Sequence, residues 1–180
     1  MKELRARRSK TRRRMTGLRG KLAEAERILE GKACVYATGS FGRCEANDFS
    51  DLDLFIVGKT RVDENGRGGE SLLSRLDEIC VKADLIQAIR ELKIPDFDGD
   101  GRYLIHYSVD NLIKTLGRPQ DDALNTFTAR LLLLLESRPL LGSVLYEGVI
   151  DSVVAAYWGD YEDHKDDFKP AYLSNDILRL

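Results

Sequence analysis

A chain of 180 residues, 43% hydrophobic and 32% charged, has the make-up of an ordinary globular protein: one well-cored domain, or a domain with a helical appendage. Wholly apolar runs such as residues 131–135 are far too short to cross a bilayer and no apolar core follows the basic N-terminus, so the reading excludes a membrane span and a secretory leader and expects a cytoplasmic protein. Three cysteines, an odd number without C-x-x-C spacing, argue against a disulfide framework and a zinc site; Cys34 and Cys80 read as small core residues, Cys44 as an exposed loop residue.

In chain order, the first fourteen residues carry eight basic side chains against Glu3 alone, a net +7 that leaves −9 for the rest of a chain whose total is −2. Such a run reads as the solvated, frayed start of a helix; the alternative is an arm that follows an RNA or DNA backbone, since Lys and Arg neutralise phosphates without reading sequence. From Met15 onward, Met15, Leu18, Leu22, Ala25 and Leu29 recur at helical spacing. They predict a helix packed on the core, with a start weakened by Gly17 and Gly20 and a stop at Gly31. Residues 34–38 are apolar and β-prone, break at Gly39-Ser40, cross a small polar loop, and re-enter an apolar run over 52–57 that opens with Asp51 and Asp53. In an extended strand those two carboxylates share one face while Leu52, Leu54 and Ile56 take the other. Adjacent carboxylates repel, and a divalent cation relieves them. Hard oxygen ligands of this kind suit Mg²⁺ or Mn²⁺, which also keep waters and substrate phosphates. Gly39 lets the backbone approach an anion, Ser40 adds a hydroxyl, and Arg43 supplies a planar fork for the same phosphate.

Gly39-Ser40, ten intervening residues, then Asp51-Leu52-Asp53-Leu54 resemble the signature of the DNA polymerase β-like nucleotidyltransferase superfamily: Gly-Ser after one strand and Asp-hydrophobic-Asp-hydrophobic on the next. The wording GSFGRCE, which adds Gly42, Arg43 and Glu45, looks like that of bacterial protein uridylyltransferases and related nucleotidyltransferases. The resemblance implies an α/β (α+β) fold, a small mixed sheet flanked by helices. It also implies metal-dependent transfer of a nucleoside monophosphate from an NTP, ATP among the candidates, to a hydroxyl of a protein or RNA acceptor, with release of pyrophosphate. In that reading Asp51 and Asp53 are catalytic and hold Mg²⁺ or Mn²⁺, and Gly39, Ser40 and Arg43 bind the nucleotide.

Past the signature, residues 58–69, with Gly66, Gly68 and Gly69, read as a loop. Leu72, Leu76, Ile79, Ala83, Ile86 and then Ile89 or Arg90 predict a second amphipathic helix that Pro95 closes. The run DFDGDG over 96–101 lacks the ligand spacing of an EF-hand and reads as a turn. Residues 103–109 predict a third strand, where the superfamily resemblance implies a third carboxylate. None lies inside it. The nearest candidates are Asp98, Asp100 and Asp110, with His106 as a base near neutral pH or, more simply, a structural histidine. Ser108 caps a short helix ending at Gly117, and Asp121 or Asp122 caps a stronger one through Glu136, whose apolar run 131–135 implies burial on every side. A helix over about 143–158 carries Tyr146, Ile150, Val153 and Tyr157, with Tyr157 and Trp158 read as core rather than as base-stacking residues. The acidic stretch 160–170 shows no ligand spacing for a metal, and an apolar-periodic segment from Leu173 stops uncapped, as in a chain that continues.

The expected organisation is a basic N-terminal helix over 1–30 packed on the core, a nucleotidyltransferase domain over 31–116, and a helical C-terminal region over 117–180. Partners are an NTP, a protein or RNA acceptor and, through the basic terminus, nucleic acid, with no membrane. The alternative function is a nucleotide-binding regulatory module that lacks the third carboxylate and does not turn over.

Overall fold

The computed structural model describes residues 2–62, 68–101, 104–159 and 161–179. Helix α1 (Lys2–Lys21) starts well before Met15, so the basic run is helical rather than frayed. The geometry breaks at Leu22, before α2 (Ala23–Leu29). Met15, Leu18, Leu22, Ala25 and Leu29 are all buried across that break, as their spacing predicts. Strand β1 (Ala33–Ala37) leads into a single helical turn, α3 (Gly39–Gly42), and after a loop into β2 (Leu54–Gly58). The segment 58–69, expected as a loop, instead contributes to a two-stranded antiparallel ladder, β3 (Thr60–Val62) with β4 (Gly68–Ser71); Gly66 lies outside the described residues.

Ser74 accepts a hydrogen bond from the Asp77 N–H and caps α4 (Arg75–Glu91). The helix was expected, but its buried face differs: Leu76 is 74% exposed, whereas Val81, Leu85, Ala88 and Ile89 fill the core. Glu78 hides the true stripe in the sequence, because it is buried on that face and held by Arg75 and Lys82. Residues 98–101 form a 3₁₀ turn with Gly99 and Asp100 at positive φ, and β5 (His106–Ser108) is shorter than the predicted 103–109 strand. Ser108 closes a capping box with Asn111 at the start of α5 (Val109–Lys114). Asp121 and Asp122 do not cap the leucine-rich helix; they belong to the short α6 (Gln120–Ala123), and α7 (Thr126–Glu136) starts from Asn125 in the left-handed conformation. Of residues 131–135 only Leu133 is fully buried, and Leu135 is 63% exposed. The helix is covered on one side, and Leu132 borders an open cavity.

An unexpected strand, β6 (Arg138–Leu141), then shows that the region after 117 is not wholly helical. β6 is an edge strand, where the missing N–H of Pro139 is tolerated. Helix α8 (Ser143–Tyr157) agrees with expectation, and α9 (Ala171–Leu178) forms from the last apolar-periodic segment. Tyr157 is buried as expected, while Trp158 is half exposed and stacks on Phe168 at 5.2 Å.

The sheet runs β5-β2-β1-β6, with β1 antiparallel to β2 and β6, and β2 parallel to β5. Because β1 is buried along its whole length, alternate side chains feed two cores. Ala33, Val35 and Ala37 meet α1, α2 and α4; Cys34 and Tyr36 meet α5, α7 and α8. The fold is the expected mixed α/β one, a small mixed sheet flanked by helices. Two cysteines exchange their expected places: Cys80 is exposed on the solvent side of α4, and Cys44 turns inward at φ +60° just after α3. Among the described residues no helix is long and apolar enough to cross a membrane.

Candidate active site

The site forms where β1 ends and β2 begins. The Thr38 N–H donates to the Asp53 carbonyl at 2.9 Å, carrying the β1–β2 pairing one step beyond both strands and bringing Gly39 beside Asp53. A Cβ on Gly39 would stand 2.5 Å from Asp53 Oδ2, and Gly39 has φ +57°, so both space and backbone require glycine. A Cβ on Gly42 would stand 1.9 Å from the Glu136 carbonyl oxygen, which shows how closely α3 is pressed on the end of α7.

Leu52, Leu54 and Ile56 are buried, so the intervening Asp53 turns away from that core; the expected alternation holds although the regular strand begins only at Leu54. Asp53 borders a cavity of about 360 Å³ together with Gly39, Asp98, Leu132 and Glu136. Burial pushes the Asp53 carboxyl pKa up, the negative charges of Asp51, Glu136 and Asp98 push the same way, and Arg43 offsets part of this. Hard carboxylate oxygens are the donor type that Mg²⁺ or Mn²⁺ takes, so Asp51 and Asp53 suit such an ion in kind. Among the described residues no three His, Cys, Asp or Glu side chains stand together as a ready-made metal group. Substrate oxygens and water would therefore complete the shell.

Glu136, the last residue of α7, is the functional candidate that sequence reading missed. Its Oε1 accepts from the Gly39 N–H at 3.0 Å, and its other oxygen pairs with Arg43, whose Nε also donates to Glu45 at 3.1 Å. These two carboxylates, Glu136 foremost, raise the Arg43 pKa and keep the guanidinium charged. Ser40, within the turn, and Asp51 are half-buried, and neither is part of the cavity lining. Of the four further candidates, Asp98 alone borders the cavity. Asp100 lies on the exposed turn, and Asp110 accepts from Thr60 at 3.1 Å and Lys114 at 3.0 Å. His106 faces Glu78 at 3.7 Å instead of Asp53, and burial lowers its pKa, which favours a neutral imidazole at pH 7. A larger groove of about 1010 Å³, between α2 and α8, contains none of the signature residues.

Residues 18–114 match the description of a nucleotidyltransferase domain. The chain belongs to the nucleotidyltransferase domain family, of the DNA polymerase β-like superfamily. No curated protein and no solved structure matches it. The nucleotidyltransferase match spans the Gly39-Ser40 turn and both aspartates, and ends before Glu136. The one signal that pointed to Glu136 was a lone charge closing an apolar helix, which reads equally well as an ordinary helix end.

Proposed function

We propose that this nucleotidyltransferase moves a nucleoside monophosphate from an NTP to a hydroxyl of a protein or RNA acceptor, releasing pyrophosphate. The observation that carries the reading is the Asp53 carboxylate set against the bare Cα of Gly39, a carboxylate and a phosphate-accepting turn in direct contact. Asp51 and Asp53 are the residues that would hold Mg²⁺ or Mn²⁺, which supplies Lewis-acid neutralisation of the triphosphate. The Gly39-Ser40 turn orients the phosphates, and Arg43 neutralises charge that develops on the leaving pyrophosphate. The acceptor oxygen forms a bond to the α-phosphorus while the bond from that phosphorus to the bridging α–β oxygen breaks. Asp98, at the cavity wall, takes the hydroxyl proton. Positioning and charge stabilisation dominate such chemistry, so few side chains suffice.

One observation favours the second reading, a nucleotide-binding module without turnover: the donors meant for phosphate, the Gly39 N–H and Arg43, are held by Glu136. Incubation with each labelled NTP and Mg²⁺ or Mn²⁺ separates the two. Transfer of label or release of pyrophosphate, lost by about a hundredfold or more in Asp53→Ala, is expected of the enzyme. Tight NTP binding with no release in the parent chain would leave only the module.

A further inference from the structure

Thr38 is the last residue before the Gly39-Ser40 turn and borders the same cavity as Asp53. It is 1% exposed, and its hydroxyl, closed off from solvent, has no hydrogen-bond partner among the described residues. Standing just before α3, it could accept from a first-turn N–H as Ser74 and Ser108 do for their helices, yet it makes no such cap. Buried polar groups are nearly always paired. A hydroxyl left alone beside a candidate active site therefore marks a bond that the resting arrangement does not make.

Strand pairing indicates the acceptor. The register of β1 with β2 sets Ala37 opposite Leu54, and the next pair, Thr38 and Asp53, is joined by the Thr38 N–H donating to the Asp53 carbonyl at 2.9 Å. Opposed residues of an antiparallel pair project to the same face with Cβ atoms about 4.5–5.5 Å apart, within reach of a hydroxyl–carboxylate hydrogen bond. Asp53 Oδ2 stands against Gly39 instead, and the Asp53 side chain makes no hydrogen bond or ion pair among the described residues. An unpaired donor and an unpaired acceptor thus face each other across one strand pair. The neighbouring carboxylate, Glu136, is already engaged by the Gly39 N–H and Arg43. Water does not reach the Thr38 hydroxyl, so a nucleotide in the cavity does not touch it either.

We infer that Thr38 is a positioning residue for Asp53: when one Asp53 oxygen turns to a divalent cation, the other accepts a hydrogen bond from Thr38 Oγ1, which fixes the direction of the carboxylate. This rests on the metal reading proposed above. Outer hydrogen bonds of this kind orient a metal-binding carboxylate, and losing one typically costs about 10–100-fold in metal affinity. The hydroxyl and methyl branches of threonine are close in size, so a turn between staggered χ1 positions presents the oxygen without opening a void.

The test is Mn²⁺ binding to the full chain without nucleotide, followed by loss of the free-ion paramagnetic resonance signal, in the parent, Thr38→Val and Thr38→Ser. Thr38→Val keeps the shape and removes the hydroxyl; Thr38→Ser keeps the hydroxyl and trims the methyl. Thr38→Val is expected to bind Mn²⁺ about 10–100-fold more weakly, and Thr38→Ser close to the parent. In the metal-free chain Thr38→Val should melt no lower than the parent, because the hydroxyl it removes is buried and unpaired. A role in packing alone predicts the reverse order, with Thr38→Ser the poorer variant. Parent-like Mn²⁺ affinity in Thr38→Val, or an equal loss in Thr38→Ser, would overturn the inference and leave the metal reading standing. A lower melting temperature in Thr38→Val would show that the hydroxyl is already bonded in the resting fold, and would overturn it too. A parent chain that does not bind Mn²⁺, or Asp53→Ala that binds it as well as the parent, would sink the metal reading and this inference together.

Discussion

Glu136 holds the Gly39 N–H and Arg43, the two donors proposed above for a triphosphate, so in that reading it competes, at the level of single residues, with the substrate. A hydrogen bond to a charged group contributes roughly 1.5–3 kcal/mol, so releasing Arg43 and the Gly39 N–H should be measurable. Glu136→Gln keeps the shape and removes the charge; inorganic pyrophosphate is expected to bind it about tenfold or more tightly than it binds the parent chain by calorimetry. Weaker binding would show instead that Glu136 helps to hold a cation. The second prediction concerns Asp53, whose folded-state pKa is raised by burial and by Asp51, Glu136 and Asp98. A raised carboxyl pKa means that protons compete with a cation at a higher pH than for an ordinary aspartate, whose value is about 3.9. Mn²⁺ affinity should fall as pH drops through the raised value, and binding should release protons; an affinity flat down to about pH 4 would refute this. The sign for stability is the reverse of the usual carboxylate case: ionising Asp53 disfavours the fold, so its contribution is present at low pH and lost as pH rises through the folded-state value. The family signature that contains Asp51 and Asp53 was legible in the sequence because it is contiguous. The position of Glu136 was not, because nothing local ties the end of α7 to the start of α3.

Among the elements, the passage from β6 to α8 depends on one residue. Gly142 has φ +65°, its N–H donates to Glu26 at 3.0 Å, and a Cβ there would stand 2.6 Å from the Ala33 carbonyl oxygen and 2.9 Å from Cys34 Cα. Left-handed backbone alone costs a non-glycine residue about 1–2 kcal/mol, and the obstructing atoms are main chain of a central strand. Gly142→Ala is expected to lower stability by at least ~2 kcal/mol in urea unfolding, whereas Gly148→Ala, exposed within α8 with nothing within 4 Å of the new Cβ, should raise it by ~0.5–1 kcal/mol. Equal effects at the two positions would contradict the packing described. The helix periodicity over 15–29 and 143–157 was legible because each stripe is locally apolar and faces one core. On α4 the same method chose the wrong face, since Glu78 breaks the buried row and is accommodated only by Arg75 and Lys82.

For the molecule as a whole, the C-terminal elements are joined by a buried charge cluster. Arg130, fully buried, donates to Asp121 Oδ2 at 2.6 Å, Asp176 Oδ2 at 2.9 Å and the Tyr157 hydroxyl at 2.9 Å, so that one guanidinium links α6, α7, α8 and α9. Burial pushes the Tyr157 pKa up to about 12, which keeps its hydroxyl protonated and able to donate to Asp176. Removing one partner of a buried ion pair costs about 3–5 kcal/mol because the other charge is left uncompensated. Arg130→Met is therefore expected to lower the unfolding free energy by about that amount, and a loss under ~1 kcal/mol would mean that the cluster contributes little. For Asp121, burial raises the pKa, but hydrogen bonds from Arg130 and Thr126 outweigh it and hold the value below normal. Its stabilisation is full above the unfolded carboxylate value near 3.9 and vanishes as pH falls through the lower folded value.

The sequence by itself determined the nucleotidyltransferase signature, the mixed α/β class and the helices whose apolar stripes are uninterrupted, because each is written in residues that are neighbours along the chain or one helical turn apart. Only the tertiary structure decided that β6 closes the sheet beside β1, that Glu136 reaches Gly39 and Arg43, that Cys44 is buried while Cys80 is not, and that Arg130 sits among Asp121, Asp176 and Tyr157. Those facts depend on contacts between segments far apart in sequence, where a charge or an edge proline becomes tolerable only once its distant partner has been supplied.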